Sequence, residues 1–236
     1  LARWAALLDV RAEVNKALEE LRASKQVAAS LDATVKVCGS ARALEPLRAF
    51  LTSRGYHVET WGLGRNVGFN RRFAQVVEQK VRYLHHRHHR KVSLVGWSLG
   101  GAFALYVAHH VPECVRSIIT LGSPVTVGAE GSQSPPMVHA LYRLVAHPLG
   151  SAAHAMLPRV RQLRTRPPVP MSCLYSATDG VVPAHQATFD GDPALHENIR
   201  VPGSHCGLGF NPWVLRIVAD RLAQPEGRWQ PFKDGR

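Results

Sequence analysis

The stretch Val92-Ser93-Leu94-Val95-Gly96-Trp97-Ser98-Leu99-Gly100-Gly101 decides the fold of this chain. A β-branched, apolar run leads directly into Gly-Trp-Ser-Leu-Gly, and an apolar helical stretch follows from 102 to 110. This order predicts a strand, a sharp turn and a helix, with Ser98 at the tip of the turn. Glycines at 96 and 100 give the strand and the helix room beside that turn. The Leu99 N–H would then point outward from a helix N-terminus, where it can stabilise an oxyanion.

A serine in this position has two interpretations. It could cap the following helix, or it could be a nucleophile exposed above the carboxyl edge of a sheet. The Gly-x-Ser-x-Gly motif is too short to decide between them by itself. The strand before it and the helix after it favour the nucleophile, because that chemistry requires this context.

A serine hydroxyl is a poor nucleophile at neutral pH, so Ser98 needs a base, and the base needs an orienting carboxylate. Of the 13 histidines, His205 alone is flanked by glycines, in Gly-Ser-His-Cys-Gly, at the end of a predicted strand. Asp179 ends the preceding strand in the same way. Asp190 and Asp192, in the loop between the two strands, remain alternatives for the carboxylate.

Strands and helices alternate along the chain, which indicates an α/β fold. Strands are predicted at 34–38, 56–61, from 92, 117–121, 171–176 and 197–201, and helices at 43–53, 69–90, 102–110 and 211–223. Right-handed crossovers would join them into a mostly parallel sheet of about six strands flanked by helices. The candidate residues all fall at carboxyl ends of strands, where such sheets gather their chemistry.

Two segments depart from this alternation within the single domain expected of 236 residues. Residues 1–30 predict an amphipathic helix that packs on the domain, or alternatively docks on a membrane surface. Residues 125–168 predict a helical insertion after the strand at 117–121. It would either cap Ser98 or simply cover the sheet edge. The predicted acyl pocket is lined by Trp97, Leu141, Leu144 and Val182.

The motifs around Ser98, Asp179 and His205, spread over residues 34–223, resemble those of the α/β-hydrolase superfamily. They are most similar to bacterial esterase-like and lipase-like members with a small helical cap. The resemblance implies that Ser98 is acylated, that His205 transfers the proton and that Asp179 supports it. These motifs are diagnostic of the fold and the triad but not of the substrate. Our first hypothesis is a cofactor-independent serine esterase that acts on carboxylic esters with apolar acyl chains.

The chain departs from the superfamily pattern after its first predicted strand. The usual His-Gly or Pro-Gly-Phe is replaced by Cys38-Gly39-Ser40-Ala41, so the second oxyanion donor is assigned to Ser40 beside Leu99. Six predicted strands also stand where the full fold has eight. Two alternatives therefore stay open: an acyltransferase or thioesterase with the same triad, and a weakly catalytic scaffold that binds an apolar ligand or a partner.

Composition restricts the partners further. The net charge is +12 and the isoelectric point about 10.2, but the basic residues are scattered and no nucleic-acid-binding motif accompanies them. We expect a small-molecule ester substrate, no nucleic acid and at most weak contact with a membrane surface.

The spacing of the cysteines and histidines argues against a metal site. The four separated cysteines favour reduced thiols in the cytoplasm. A Cys38–Cys206 bridge is the alternative, because the predicted fold places both residues near the active edge, but free thiols are preferred. The histidines from 85 to 89 predict a basic, solvated helix end, because so many in one short run cannot all face one ion. No apolar run is long enough for a membrane span, and no signal peptide is visible.

Overall fold

The computed structural model describes residues 34–38, 41–60, 62, 71–126 and 167–233. The strands in these ranges are β1 (Thr34–Cys38), β2 (His57–Thr60), β3 (Val92–Trp97), β4 (Val115–Leu121), β5 (Met171–Tyr175) and β6 (His196–Arg200). The helices are α1 (Ala41–Ser53), α2 (Arg71–His88), α3 (Leu99–His110), α4 (Ala184–Ala187) and α5 (Pro212–Ala223). Short 3-10 turns occupy Pro112–Cys114 and His205–Gly209.

All six strands pair in parallel, in the order β2-β1-β3-β4-β5-β6. The predicted α/β class and parallel sheet are therefore confirmed. The chain runs outward from β1 to β2, returns to β3 on the other side of β1, and continues outward from there. Reversals of this kind mark the edge where α/β proteins place their sites. One strand, β4, separates β3 from β5.

Helices cover both faces of the sheet because side chains alternate along each strand. On one face, α2 and α3 pack against Leu94 and Ile118. On the other face, α1 and α5 pack against Val95 and Ile119. Helix α3 is buried along nearly its whole length, from Gly100 to Ala108, and so forms the central support of the β3–α3 turn.

Several expectations change or stay open. Helix α3 begins at Leu99, earlier than the predicted residue 102, and α4 was not predicted. Cys206 is a free, exposed thiol, so it forms no bridge with Cys38. The predicted helix at 1–30 and nearly all of the predicted cap at 125–168 lie outside the described residues, and the single-domain organisation stays a prediction. Across the ranges described, no helix has the length and apolar character to cross a membrane.

The turn between β3 and α3 depends on a close backbone approach. A Cβ added at Gly96 would lie 2.4 Å from the Gly101 nitrogen, and one added at Gly101 would lie 2.2 Å from the Ser123 Oγ. Both distances are far below van der Waals contact. Glycine is therefore required at 96, as predicted, and also at 101, which the motif does not single out.

Gly101→Ala should lower the free energy of unfolding by about 1–3 kcal/mol, because its methyl group must displace the Ser123 side chain. Adding Ser123→Gly should recover part of this loss by removing the obstructing atoms. Gly96→Ala should show no such recovery, since its Cβ would meet backbone atoms of Gly100 and Gly101. Urea unfolding of the single and double variants measures the coupling. Equal losses from Gly101→Ala with and without Ser123→Gly would contradict this packing.

Candidate active site

Ser98 lies at the tip of the β3–α3 turn in a conformation that residues with side chains rarely adopt. Its φ is 54° and its ψ is −130°. Its N–H donates to the Leu121 carbonyl at 3.0 Å, which holds the tip against the end of β4. The side chain is half-buried. A strained serine between a strand and a helix has the geometry of a nucleophile elbow.

The helix-cap interpretation of Ser98 is wrong. Ser98 occupies the N-cap position of α3, but its side chain makes no capping hydrogen bond. An N-cap serine normally accepts a hydrogen bond from an N–H two or three residues further on. The Ser98 hydroxyl therefore does not cap the N-terminus of α3.

His205 and Asp179 form a buried hydrogen-bonded pair. The His205 Nδ1 lies 2.8 Å from the Asp179 Oδ2, and the two side chains are only 7% and 1% exposed. The other carboxylate oxygen, Oδ1, accepts the N–H groups of Val181 at 2.8 Å and Val182 at 2.9 Å. An ionised carboxylate can only accept, so Nδ1 carries the proton and Nε2 is left as the acceptor.

The surroundings of Asp179 keep it ionised. Burial raises the pKa of Asp179, but the hydrogen bonds from His205, Val182 and Val181 outweigh burial and hold this pKa below its ordinary value. The resulting stabilisation of the fold is present above the pKa of the unfolded-state carboxyl group. It is lost as the pH falls through the lower pKa of the folded state. At neutral pH the carboxylate is therefore charged, as an orienting partner must be.

The two alternative carboxylates have other environments. Asp190 is exposed. The Asp192 Oδ1 accepts the Ala194 N–H at 2.9 Å, and the Asp192 N–H donates to the Nδ1 of His196 at 2.8 Å. Asp179 is thus the carboxylate bonded to His205.

Neighbours of Ser98 contact the His205–Asp179 pair from two sides. The Trp97 Nε1–H donates to the His205 carbonyl at 3.0 Å, and the centroids of the two rings lie 5.4 Å apart. Gly122 follows Leu121, the residue that holds the Ser98 N–H. A Cβ at Gly122 would lie 2.8 Å from the Asp179 Oδ2 and 3.2 Å from the His205 Nδ1. The loops after β3, β4, β5 and β6 therefore meet at one edge of the sheet.

The candidate oxyanion and substrate residues are only partly described. Leu99 is the first residue of α3, so its N–H has no acceptor within the helix and is suited to an oxyanion. The side chain of Val182 is buried beside Asp179. For Val182 and Trp97, substrate contact stays a prediction. Ser40, Leu141 and Leu144 lie outside the described residues.

Sequence reasoning missed two features that join these loops. One is Gly122, whose φ of 53° and lack of a side chain fit it beside the pair. Its only signal was its place directly after a buried strand. The other is a pair of hydroxyls: Ser176 and Thr178 both donate to the Gly203 carbonyl, Thr178 at 3.0 Å. Serine and threonine are common in loops, so no pattern marked these two.

Within the described ranges, no group of three or more histidine, cysteine, aspartate or glutamate side chains could hold a metal ion. These ranges include the histidine-rich end of α2. His85 there has its Nδ1 3.0 Å from the Arg90 carbonyl oxygen.

The chain is similar to known proteins in its fold. A family model for the alpha/beta hydrolase fold matches residues 61–160. Lipase B of Aspergillus fumigatus aligns with a TM-score of 0.63 at 16% identity, covering 84% of this chain and 54% of that one. The chain thus spans about half the length of that lipase. No curated protein matches the sequence.

Two further solved structures are similar over most of their own length. The monoacylglycerol lipase of Paleococcus ferrophilus has a TM-score of 0.56 at 14% identity, covering 80% of this chain and 93% of that one. The RedJ thioesterase of Streptomyces coelicolor has a TM-score of 0.52 at 20% identity, covering 81% and 86%. Similarity at this level concerns the fold. Together with the matching family model and the parallel sheet, it shows that this chain has the α/β-hydrolase fold.

Proposed function

We propose that this protein is a serine hydrolase that cleaves carboxylic esters with apolar acyl groups through an acyl-enzyme on Ser98. The observation that carries the proposal is the 2.8 Å hydrogen bond between the His205 Nδ1 and the Asp179 Oδ2, with His205 contacted by Trp97, the residue before a serine at positive φ. Acyl transfer of this type needs an exposed nucleophile, a base of fixed tautomer and a buried carboxylate. The proposed reaction uses side chains and backbone N–H groups of the chain itself.

In the proposed reaction, the Ser98 Oγ attacks the ester carbonyl carbon while the His205 Nε2 takes the hydroxyl proton. The oxyanion accepts the Leu99 N–H, with a second donor proposed at Ser40. The ester C–O bond then breaks, and His205 gives its proton to the leaving alcohol. Water attacks the acyl-enzyme with His205 again as base, which releases the acid and restores Ser98. Asp179 stays ionised and stabilises the imidazolium at each stage.

The apolar acyl group is proposed from the residues around the elbow. The apolar side chain of Val182 lies near the His205–Asp179 pair, and Leu141 and Leu144 of the proposed cap would provide further apolar surface. Thioesters are a second candidate class, because the same acyl-enzyme forms from either donor and the structural relatives include a thioesterase as well as lipases.

The thiols support a reducing compartment, and we place the protein in the cytoplasm as part of this proposal. Cys114, Cys173 and Cys206 are free. Burial raises the pKa of Cys173 to about 12, so this thiol stays protonated and inert. A weak contact with a membrane surface, where an apolar ester could be met, is proposed on the net charge of +12 alone.

Ser98→Ala should abolish hydrolysis of p-nitrophenyl esters from acetate to dodecanoate, with a loss on the order of 10⁶-fold in kcat if the triad acts as a unit. A matched thioester series reports on the second substrate class. Ser53→Ala, an exposed serine at the end of α1, should keep wild-type turnover. A fluorophosphonate probe, followed by mass spectrometry, should label Ser98. Labelling of another serine would refute the proposal, and apolar-ligand binding without any acylation burst would favour the scaffold alternative.

Asp179→Asn should lower kcat about 10⁴-fold with the fold intact. The amide oxygen can still accept the N–H groups of Val181 and Val182, but the amide NH₂ would face the His205 Nδ1 and favour the wrong tautomer. Asp192→Asn is the control, because Asp192 has its own backbone acceptor role. Steady-state kinetics and circular dichroism measure both variants. Loss of activity in Asp192→Asn with Asp179→Asn unaffected would reverse the assignment.

Gly122→Ala should lower kcat about 10²-fold, since a displacement of about 1 Å in a catalytic group has that effect. Its Cβ would meet the Leu208 Cδ1 at 2.7 Å and the Asp179 Oδ2 at 2.8 Å. Gly180→Ala is a matched control beside Asp179, because nothing lies within 4 Å of its added Cβ. Equal kinetics for the two alanine variants would show that Gly122 does not set the position of the pair.

A further inference from the structure

We propose that Trp97 is a positioning residue for His205, holding the histidine loop against the elbow through its indole N–H and its ring. This inference rests on the proposed function, because it treats His205 as the base. It assigns Trp97 a role different from the substrate contact predicted from the sequence.

The histidine loop needs such restraint because the residues on both sides of His205 are exposed. His205 is buried, while Pro202, Ser204 and Cys206 around it are exposed. Gly203 has a φ of 128°, and His205 begins a 3-10 turn. Apolar packing holds the turn at Leu208, which is fully buried in the core, but not at the residues directly next to His205. Hydrogen bonds to other loops must hold them.

Hydrogen bonds from other segments hold this loop at three backbone carbonyls, the first of which is that of Pro202, the acceptor of the Asn211 Nδ2–H. Before His205, the Gly203 carbonyl accepts the hydroxyls of Ser176 and Thr178 from the loop after β5. At His205 itself, the carbonyl accepts the Trp97 Nε1–H at 3.0 Å. The bond from Nδ1 to Asp179 fixes one atom of the ring but allows rotation about that contact. Fixing the backbone carbonyl of the same residue removes much of this freedom.

Trp97 is itself held in position by its strand and by the core, so it can fix the position of His205. It is the last residue of β3, and its side chain packs on the core between the sheet and helices α1 and α5. Its ring lies against the imidazole at a centroid distance of 5.4 Å and an interplanar angle of 35°. Trp97 is also bonded directly to Ser98. One anchored residue therefore links the position of the nucleophile to that of the base.

The indole N–H already donates to the His205 carbonyl, so the proposed positioning role can be distinguished from substrate binding. A tryptophan that recognised the acyl group would act through ring contact that grows with chain length, so its loss would raise KM for long esters. A positioning tryptophan acts on the chemical step. Its loss would lower kcat alike for every ester.

Trp97→Phe in the full chain keeps an aromatic ring and removes the N–H donor. We expect kcat to fall about 10-fold or more for every acyl length, with KM unchanged. Trp213→Phe is the matched control, because Trp213 packs on the same core from α5 and carries Arg216 over its ring. It should keep wild-type kcat.

Proton NMR gives a second measurement that needs no turnover. The proton between His205 and Asp179 should give a deshielded resonance, assigned by its loss in Asp179→Asn, and this resonance should broaden or move upfield in Trp97→Phe. A fall in kcat together with this change supports the inference. An unchanged resonance, a wild-type kcat, or a KM that rises with acyl length overturns it. If the wild type cleaves no ester or thioester, the proposed function fails, and the resonance alone decides whether Trp97 positions His205.

Discussion

Close contact between the backbone at the end of β3 and the backbone at the start of α3, with no side chain between them, holds the β3–α3 turn in place. Gly96 at the end of β3 lies so close to the first turn of α3 that a Cβ there would meet backbone atoms of Gly100 and Gly101. A Cβ at Gly101 would meet the Ser123 side chain. The strain at Ser98, on the order of 1–3 kcal/mol for such a conformation, persists because the elements on both sides cannot relax. β3 is a buried central strand and α3 is buried nearly end to end. The burial of apolar surface by these two elements therefore maintains the serine in an unfavourable backbone conformation.

The strand order explains why a glycine must follow β4. Ser98 follows β3 and Asp179 follows β5, and β4 lies between them. Neighbouring strands are about 4.8 Å apart, so the two strand ends are separated by roughly 10 Å. The Asp179–His205 pair can approach Ser98 only across the end of β4. Any side chain after β4 would occupy that space, which is the steric result found for a Cβ at Gly122.

The alternation of apolar runs was enough to predict the sheet and its parallel pairing, because a buried parallel strand and its crossover helix have distinct periods. Ser98, Asp179 and His205 could be selected because turn residues at strand ends are few and the carboxyl ends share one edge. The contact between Trp97 and His205 could not be predicted. These residues are 108 positions apart, and whether their side chains meet depends on strand register and loop conformation. The position of Gly122 beside the His205–Asp179 pair could be predicted only from the strand order, which the sequence alone did not specify.

The proposed catalytic residues and the predicted insertion at 125–168 are connected to the sheet at different points. The predicted insertion at 125–168 leaves the core where the Val125 N–H donates to the Gln186 carbonyl at 2.9 Å. It returns where the His196 Nε2 lies 3.0 Å from the Pro167 carbonyl oxygen. Neither contact involves Ser98, Asp179 or His205. Changes within the insertion could therefore alter the fit of an acyl group without moving the residues that would break the ester bond, because those residues are held by the sheet and by each other's loops.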